Sequence, residues 1–295
     1  FTYQDNSKYN KKIMNSRYKK VYSISLEPGY RNYTVRDLID LKGKKKLTQI
    51  HVTTADEARA AEEAGIDLLL VRDFPELKSI RLAAPKTFIS VSIPFIKYAY
   101  KEDIIKDSLK VIDMGFDSIT CGSWNLNFMK YLNEFKIPFQ GHAGLVPRKS
   151  TWTGGVRAYG KNVNEAMQLL NDVKKIEETG AWAVEIECVP KDILAEITKQ
   201  TNMLTISIGS GSEGDGQFLF ADDILGYSTI DLPRHAKSYR DFIKIYGEVQ
   251  KERVDAFVEF KKEVLSNKFP SENHSIKIEK KELLLFKKLL NKNRK

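Results

Sequence analysis

From position 47 onward, short apolar runs alternate with longer amphipathic stretches that stop on glycine, and this alternation narrows the possible folds most. Apolar runs predict strands over 47–53, 66–71, 88–93, 117–121, 138–142, 181–189 and 204–208. Helical spacing covers 55–64, 102–114, 126–135, 164–179 and 191–200, with Gly65, Gly115 and Gly180 as stops. The run over 66–71 ends abruptly at Arg72-Asp73, as a strand covered on both faces does where it meets solvent. Repeated strand–helix units predict a parallel sheet, because each crossover helix returns the chain to the same edge. Seven or eight units predict closure, so the expected fold is α/β: a (β/α)8 TIM-type barrel.

Before the barrel, 1–46 is a basic N-terminal arm carrying one short helix over 34–41, with Thr34 as N-cap and Asp37 at the capping-box position. Pro28-Gly29 predicts a turn in this arm. The barrel is expected over 47–265, ending in a long amphipathic helix over 239–265. A basic helical tail is expected over 266–295, within which 279–290 carries a broad apolar face beside lysines. That face suits packing on the domain or a neighbouring subunit, or alternatively a membrane surface.

A chain of 295 residues with 42% hydrophobic residues can bury one large core. No run is long enough to span a membrane. Two cysteines, Cys121 and Cys188, do not make a disulfide framework, and the polar start carries no secretory pattern. A cytoplasmic protein is expected, with a removed targeting segment left open. The net charge of +9 belongs to the ends: residues 1–50 hold 12 basic against 4 acidic side chains, 251–295 hold 13 against 7, and the body is net −5. No nucleic-acid-binding motif accompanies it, so specific nucleic-acid recognition is not expected. The ends are either solvated or in contact with an acidic partner.

Two strand ends carry polar side chains where an apolar run stops: Gly141-His142-Ala143-Gly144-Leu145 and Glu185-Ile186-Glu187-Cys188-Val189-Pro190. In a barrel, such ends build the active site. Glu185 and Glu187 share one strand face, so two carboxylates point the same way. They either hold a cation together with Asp73, or Glu185 lies deeper and pairs with a basic side chain. His142 is either an acid–base group or a hydrogen-bonded structural histidine. Cys188 reads as a small buried residue or a reactive thiol. The 207–216 loop is glycine-rich but lacks a P-loop ending, which makes it a weak nucleotide site. Arg148, Lys149 and Arg157 follow the Gly141 strand, where they are solvated or meet an acidic substrate.

The order and spacing of several motifs resemble the ketopantoate hydroxymethyltransferase family of the phosphoenolpyruvate mutase/isocitrate lyase superfamily. They are Ala64-Gly65-Ile66-Asp67, Ile93-Pro94-Phe95, the two strand ends above, Gly154-Gly155, Ile208-Gly209-Ser210-Gly211, Asp215-Gly216-Gln217 and Phe269-Pro270 with His274-Ser275. The resemblance covers about 34–276. It implies a barrel enzyme that moves a one-carbon unit from methylene-tetrahydrofolate onto a small branched 2-oxo acid on the route to pantothenate. It also implies Mg²⁺ or another divalent cation, and a homo-oligomer. A base must remove the proton beside the ketone, and a cation must steady the enolate.

Position by position, Glu187 matches the family's catalytic base, Asp73 one metal-ligating aspartate and His142 the histidine beside the site. Phe74 stands where the family has a substrate-binding serine, and Ser92 where it has an aspartate that contacts metal and substrate. Thr120 replaces a substrate-binding lysine and Gly122 a metal-ligating glutamate. The 19 positions from Asp73 to Ser92 are fewer than in the family, which has a Gly-rich segment there. A single aspartate with waters is a poor Mg²⁺ site, because the ion releases its hydration shell only to compensating charge. Three functions follow: a divergent hydroxymethyltransferase, a superfamily enzyme acting on another 2-oxo acid, or a catalytically degenerate barrel kept as a structural or regulatory partner.

Overall fold

The computed structural model describes residues 18–72, 76–94, 97–122, 125–227 and 232–292. Strands β1 (Lys19–Tyr22) and β2 (Pro28–Arg31) pair as an antiparallel hairpin. Pro28-Gly29 therefore starts a strand instead of making the expected turn. The turn is over 23–27, where Ser23 N donates to Glu27 O and Leu26 takes φ 65°. Helix α1 (Val35–Asp40) starts at Thr34, and Asp37 closes the capping box in spite of its shorter side chain.

The barrel follows as β3 (Leu47–His51), α2 (Ala55–Glu63), β4 (Leu68–Arg72), α3 (Leu77–Ala83) and β5 (Phe88–Ser92). It continues with α4 (Lys101–Asp113), β6 (Ser118–Thr120), α5 (Leu126–Glu134) and β7 (Phe139–Gly144). A short turn of helix, α6 (Ser150–Thr153), precedes α7 (Val163–Glu178), β8 (Ala183–Glu187), α8 (Lys191–Gln200), β9 (Leu204–Ile208), β10 (Gly216–Phe220) and α9 (Ala221–Leu225). All eight strands from β3 to β10 are parallel and close in the ring order β10-β3-β4-β5-β6-β7-β8-β9. The closing strand, β10, has no counterpart among the expected strands. It is five residues long, and it follows the glycine-rich loop directly. The short helix α3 was likewise not marked by the spacing.

Period-two alternation sorts each strand into two faces. On β4, Leu69 and Val71 point outward into the cluster under the helices, beside Ala58, Leu77 and Ile80. Leu68 and Leu70 point inward, against Leu204, Ile206, Ile208 and Phe218. Leu38 of α1 joins that inner cluster with Leu47, Phe88 and Trp182, so α1 plugs the N-terminal end of the barrel. The C-terminal end remains for chemistry, and the inward row of every strand leads to it.

At the N-terminal end, the hairpin is tied to the barrel by charge. Asp117 accepts from Arg31 Nε at 2.7 Å and Arg81 Nη1 at 3.1 Å, and from the Ile89 backbone N–H at 2.9 Å. A cavity of about 480 Å³ lies beside this network, whose two guanidinium groups also donate to the backbone carbonyls of Pro85 and Thr87.

Contacts divide the chain into two compact units, Phe1–Arg240 and Asp241–Lys295. The second contains α10 (Phe242–Leu265), capped by Asp241, and α11 (Lys280–Lys292). Phe260, Phe269 and His274 stack in series within this unit. On α11, Leu284, Phe286 and Leu289 are exposed. Among the described residues no helix is long and apolar enough to cross a membrane.

Candidate active site

The inward rows converge on a cavity of about 450 Å³ at the C-terminal ends of the strands. A close polar contact joins β7 to β8. In their register, Gly144 is the partner of Glu187 and His142 the partner of Glu185. His142 Nε2 stands 2.9 Å from Glu187 Oε2. The backbone around Glu187 is held from both sides: Leu145 N donates to Glu187 O, and Cys188 N donates to Ile208 O, each at 2.8 Å. Gly144 makes the close approach possible. It sits at φ +85°, and a Cβ there would lie 2.4 Å from the Glu187 carbonyl oxygen.

Burial pushes the His142 imidazolium toward the neutral form, but the hydrogen bond to Glu187 and the negative charges of Glu185 and Glu187 outweigh it. The net effect raises its pKa. Glu187 thus sits at the rim of the cavity with the His142 ring beside it.

Glu185 lies one layer deeper and is buried. Its Oε1 accepts from Gln49 Nε2 at 2.7 Å and Gln140 Nε2 at 2.8 Å, and Gln140 also donates to Thr120 Oγ1 at 3.0 Å. The expected basic partner is therefore replaced by two amides. Burial raises the Glu185 pKa to about 7, against the pull of His142 and the Gln49 hydrogen bond. Neither glutamine was singled out from sequence, although both sit at inward positions of predicted strands.

The other expected site residues are distributed unevenly. Ser92 and Gly122 line the cavity, and Thr120 lines it while being engaged by Gln140. Asp73 and Phe74 lie outside the described residues. Cys188 is half-buried at φ 50°, with Sγ 4.0 Å from His235 Nδ1, and burial pushes its thiol pKa up, which disfavours a reactive thiolate. In the 207–216 loop, Ser207 Oγ donates to Gly211 O, and Ser210 Oγ accepts from Val189 N and donates to Ile186 O. The loop's hydroxyls thus brace β8 and the loop itself. Arg148 lines the cavity, whereas Arg157 donates to Glu165 Oε1 at 2.7 Å on α7.

Two further residues of the cavity carry no sequence-based expectation. Arg72 is the last residue of β4, on the inward row after Leu68 and Leu70. His51 ends β3 against the ring of Phe220.

Among the described residues the donor set does not fit a hard divalent cation. Such an ion needs several oxygen ligands with negative charge among them. Among the described residues no three acidic, histidine or cysteine side chains are placed to hold a metal ion. Ser92 and Thr120 offer neutral hydroxyls, Gly122 offers no side chain, and the two carboxylates are held by amides and by His142.

A sequence model described as ketopantoate hydroxymethyltransferase matches residues 74–272. The 3-methyl-2-oxobutanoate hydroxymethyltransferase of Kosmotoga olearia is 33% identical over 259 residues, 80% of this chain and 94% of its own. That of Thermotoga neapolitana is 32% identical over 263 residues, 81% and 95% of the two chains. Among solved structures, a 2,3-dimethylmalate lyase of the PEP mutase/isocitrate lyase superfamily aligns with a TM-score of 0.46 at 8% identity, covering 63% of this chain and 78% of its own. The chain belongs to the ketopantoate hydroxymethyltransferase family.

Proposed function

We propose that the barrel binds 3-methyl-2-oxobutanoate or a close 2-oxo acid and transfers a one-carbon unit onto it through an enolate, with Glu187 as the base. The observation that carries this reading is the 2.9 Å contact between His142 Nε2 and Glu187 Oε2 at the cavity rim. A carboxylate held this way has a fixed orientation and keeps a lone pair for the substrate. Glu187 takes the proton from the carbon beside the ketone, and that bonding pair moves into the enolate. The enolate carbon then forms a bond to the one-carbon unit of the donor while that unit's two carbon–nitrogen bonds break. Water supplies the hydroxyl oxygen, and the two nitrogens of the released donor take up one proton from the water and the one removed from the acid. Methylene-tetrahydrofolate as that donor, and a homo-oligomeric assembly, belong to the same reading and rest on the family.

Ser92, Thr120 and Gly122 favour a second reading. With neutral groups where the resemblance implies metal and substrate ligands, the barrel would be catalytically degenerate, or would act on a different 2-oxo acid. Incubation with 3-methyl-2-oxobutanoate and methylene-tetrahydrofolate, followed by mass spectrometry, separates the two. Hydroxymethylated product that disappears in the Glu187→Gln variant is the expected result. Absence of product from the wild-type chain would remove this transferase assignment.

A further inference from the structure

We propose that Arg72 and His51 form the subsite that anchors the carboxylate of the 2-oxo acid, and that this chain holds its anionic substrate without a divalent cation. The identity of the ligand rests on the function proposed above; the existence of an anion subsite rests on the geometry.

Arg72 brings a guanidinium to the mouth of the barrel, in register with Ser92 on the next strand. No carboxylate among the described residues pairs with it. A guanidinium presents a planar fork of donors that matches a carboxylate, and it keeps its charge at any working pH. His51 supplies the independent observation. Its residue is 6% exposed, it lines the same cavity, and its Nε2 is buried with no hydrogen-bond partner among the described residues. An orphaned buried ring nitrogen costs free energy unless a ligand satisfies it. Burial, helped by the charge of Arg72, lowers the His51 pKa to about 4, so the ring remains a neutral donor or acceptor at the wall.

The ring order gives the subsite a direction. In the eight-stranded circle, β3 and β4 stand opposite β7 and β8. One wall therefore carries Arg72 and His51, and the facing wall carries His142, Glu185 and Glu187. A carboxylate is attracted to the guanidinium of the first wall, which the three residues of the second lack. A 2-oxo acid anchored there turns its reacting carbon toward Glu187, which is the orientation proton removal requires.

Calorimetric titration of the full chain with 3-methyl-2-oxobutanoate, after dialysis against EDTA, tests the proposal. The uncharged ketone 3-methylbutan-2-one serves as a control. The wild type is expected to bind the acid in the chelator. Arg72→Gln is expected to weaken that binding at least about tenfold, and Arg72→Lys to fall between, because it keeps charge but loses the fork. The ketone should bind wild type and Arg72→Gln equally. Arg72 is solvent-exposed, so thermal melting of the variants should match the wild type and separate lost binding from lost folding. Equal affinity in Arg72→Gln, binding only after Mg²⁺ or Mn²⁺ is added, or no binding at all would overturn the anchor. Solvent exchange of the carbon-bound proton, read on the same samples, separates this outcome from the fate of the function. Arg72-dependent binding without exchange keeps the anchor and removes the enolate chemistry; exchange with unchanged affinity in Arg72→Gln does the reverse.

Discussion

Asp117→Ala lowers the free energy of unfolding by about 3–5 kcal/mol, read from urea titration. This one carboxylate accepts from two guanidinium groups, those of Arg31 and Arg81, which are 5% and 6% exposed. Burial pulls the Arg81 pKa down to about 10, and the charge of Asp117 is the main force holding it up. Removing the acid leaves two positive charges close together and nearly dry, so the loss includes an uncompensated desolvation penalty in addition to the hydrogen bonds. It also removes one tie between the hairpin and the barrel, because Arg31 is the last residue of β2. Asp56, whose side chain is 90% exposed beside Arg59, is the contrast: Asp56→Ala should change stability by no more than about 0.5 kcal/mol. A loss below about 1 kcal/mol for Asp117→Ala would contradict this account of the N-terminal end. The network is at the opposite end of the barrel from the cavity, so folded Asp117→Ala protein should retain ligand binding.

Glu185→Gln is expected to change how stability depends on pH. The folded-state pKa of Glu185 is raised to about 7 from an ordinary 4.5, first by burial. Between these values the native chain holds a proton that the unfolded chain has released. Stability therefore falls as pH rises through this window, by about 3 kcal/mol for this group alone. His142 acts in the same sense: its raised folded-state pKa contributes stability that is complete below about 6.5 and lost as pH climbs through the folded value. In Glu185→Gln, the difference in unfolding free energy between variant and wild type should grow from pH 4.5 to pH 7 and then level off. The variant should be the more stable protein at pH 8, because a glutamine oxygen can still accept from Gln49 and Gln140 without a buried charge. A difference that stays constant with pH would show that Glu185 is ionised as readily in the fold as in the unfolded chain.

The barrel was legible because parallel strands covered on both faces leave apolar runs, and glycines mark where the helices end. The eighth strand was not, since Gly216–Phe220 is short and its inward positions include a glycine that no pattern marks as buried. Pro28-Gly29 misled because proline tolerated at a strand start looks in sequence like proline in a turn. At the site, the shared face of Glu185 and Glu187 followed from alternation alone, while the depth of Glu185 was one of two readings the sequence left open. Its partners did not. Gln140 comes from the neighbouring strand β7, but Gln49 comes from β3, remote in sequence, and only closure of the ring brings both to one oxygen. His51 and Arg72 were not marked as site residues because each is one polar residue at the end of a strand; what sets them opposite Glu187 is the closed circle, in which β3 and β4 face β7 and β8.

The central claim is that Glu187, oriented by His142, removes the proton beside the ketone of a 2-oxo acid. The most direct measurement is proton NMR of 3-methyl-2-oxobutanoate in D₂O with the wild-type chain, Glu187→Gln and His142→Asn, with no one-carbon donor present. The account predicts loss of the signal of the proton on the carbon beside the ketone with wild type, slowing by at least about a hundredfold in Glu187→Gln and by a smaller factor in His142→Asn. Exchange that proceeds equally in Glu187→Gln, or that never exceeds the rate without protein, would contradict it.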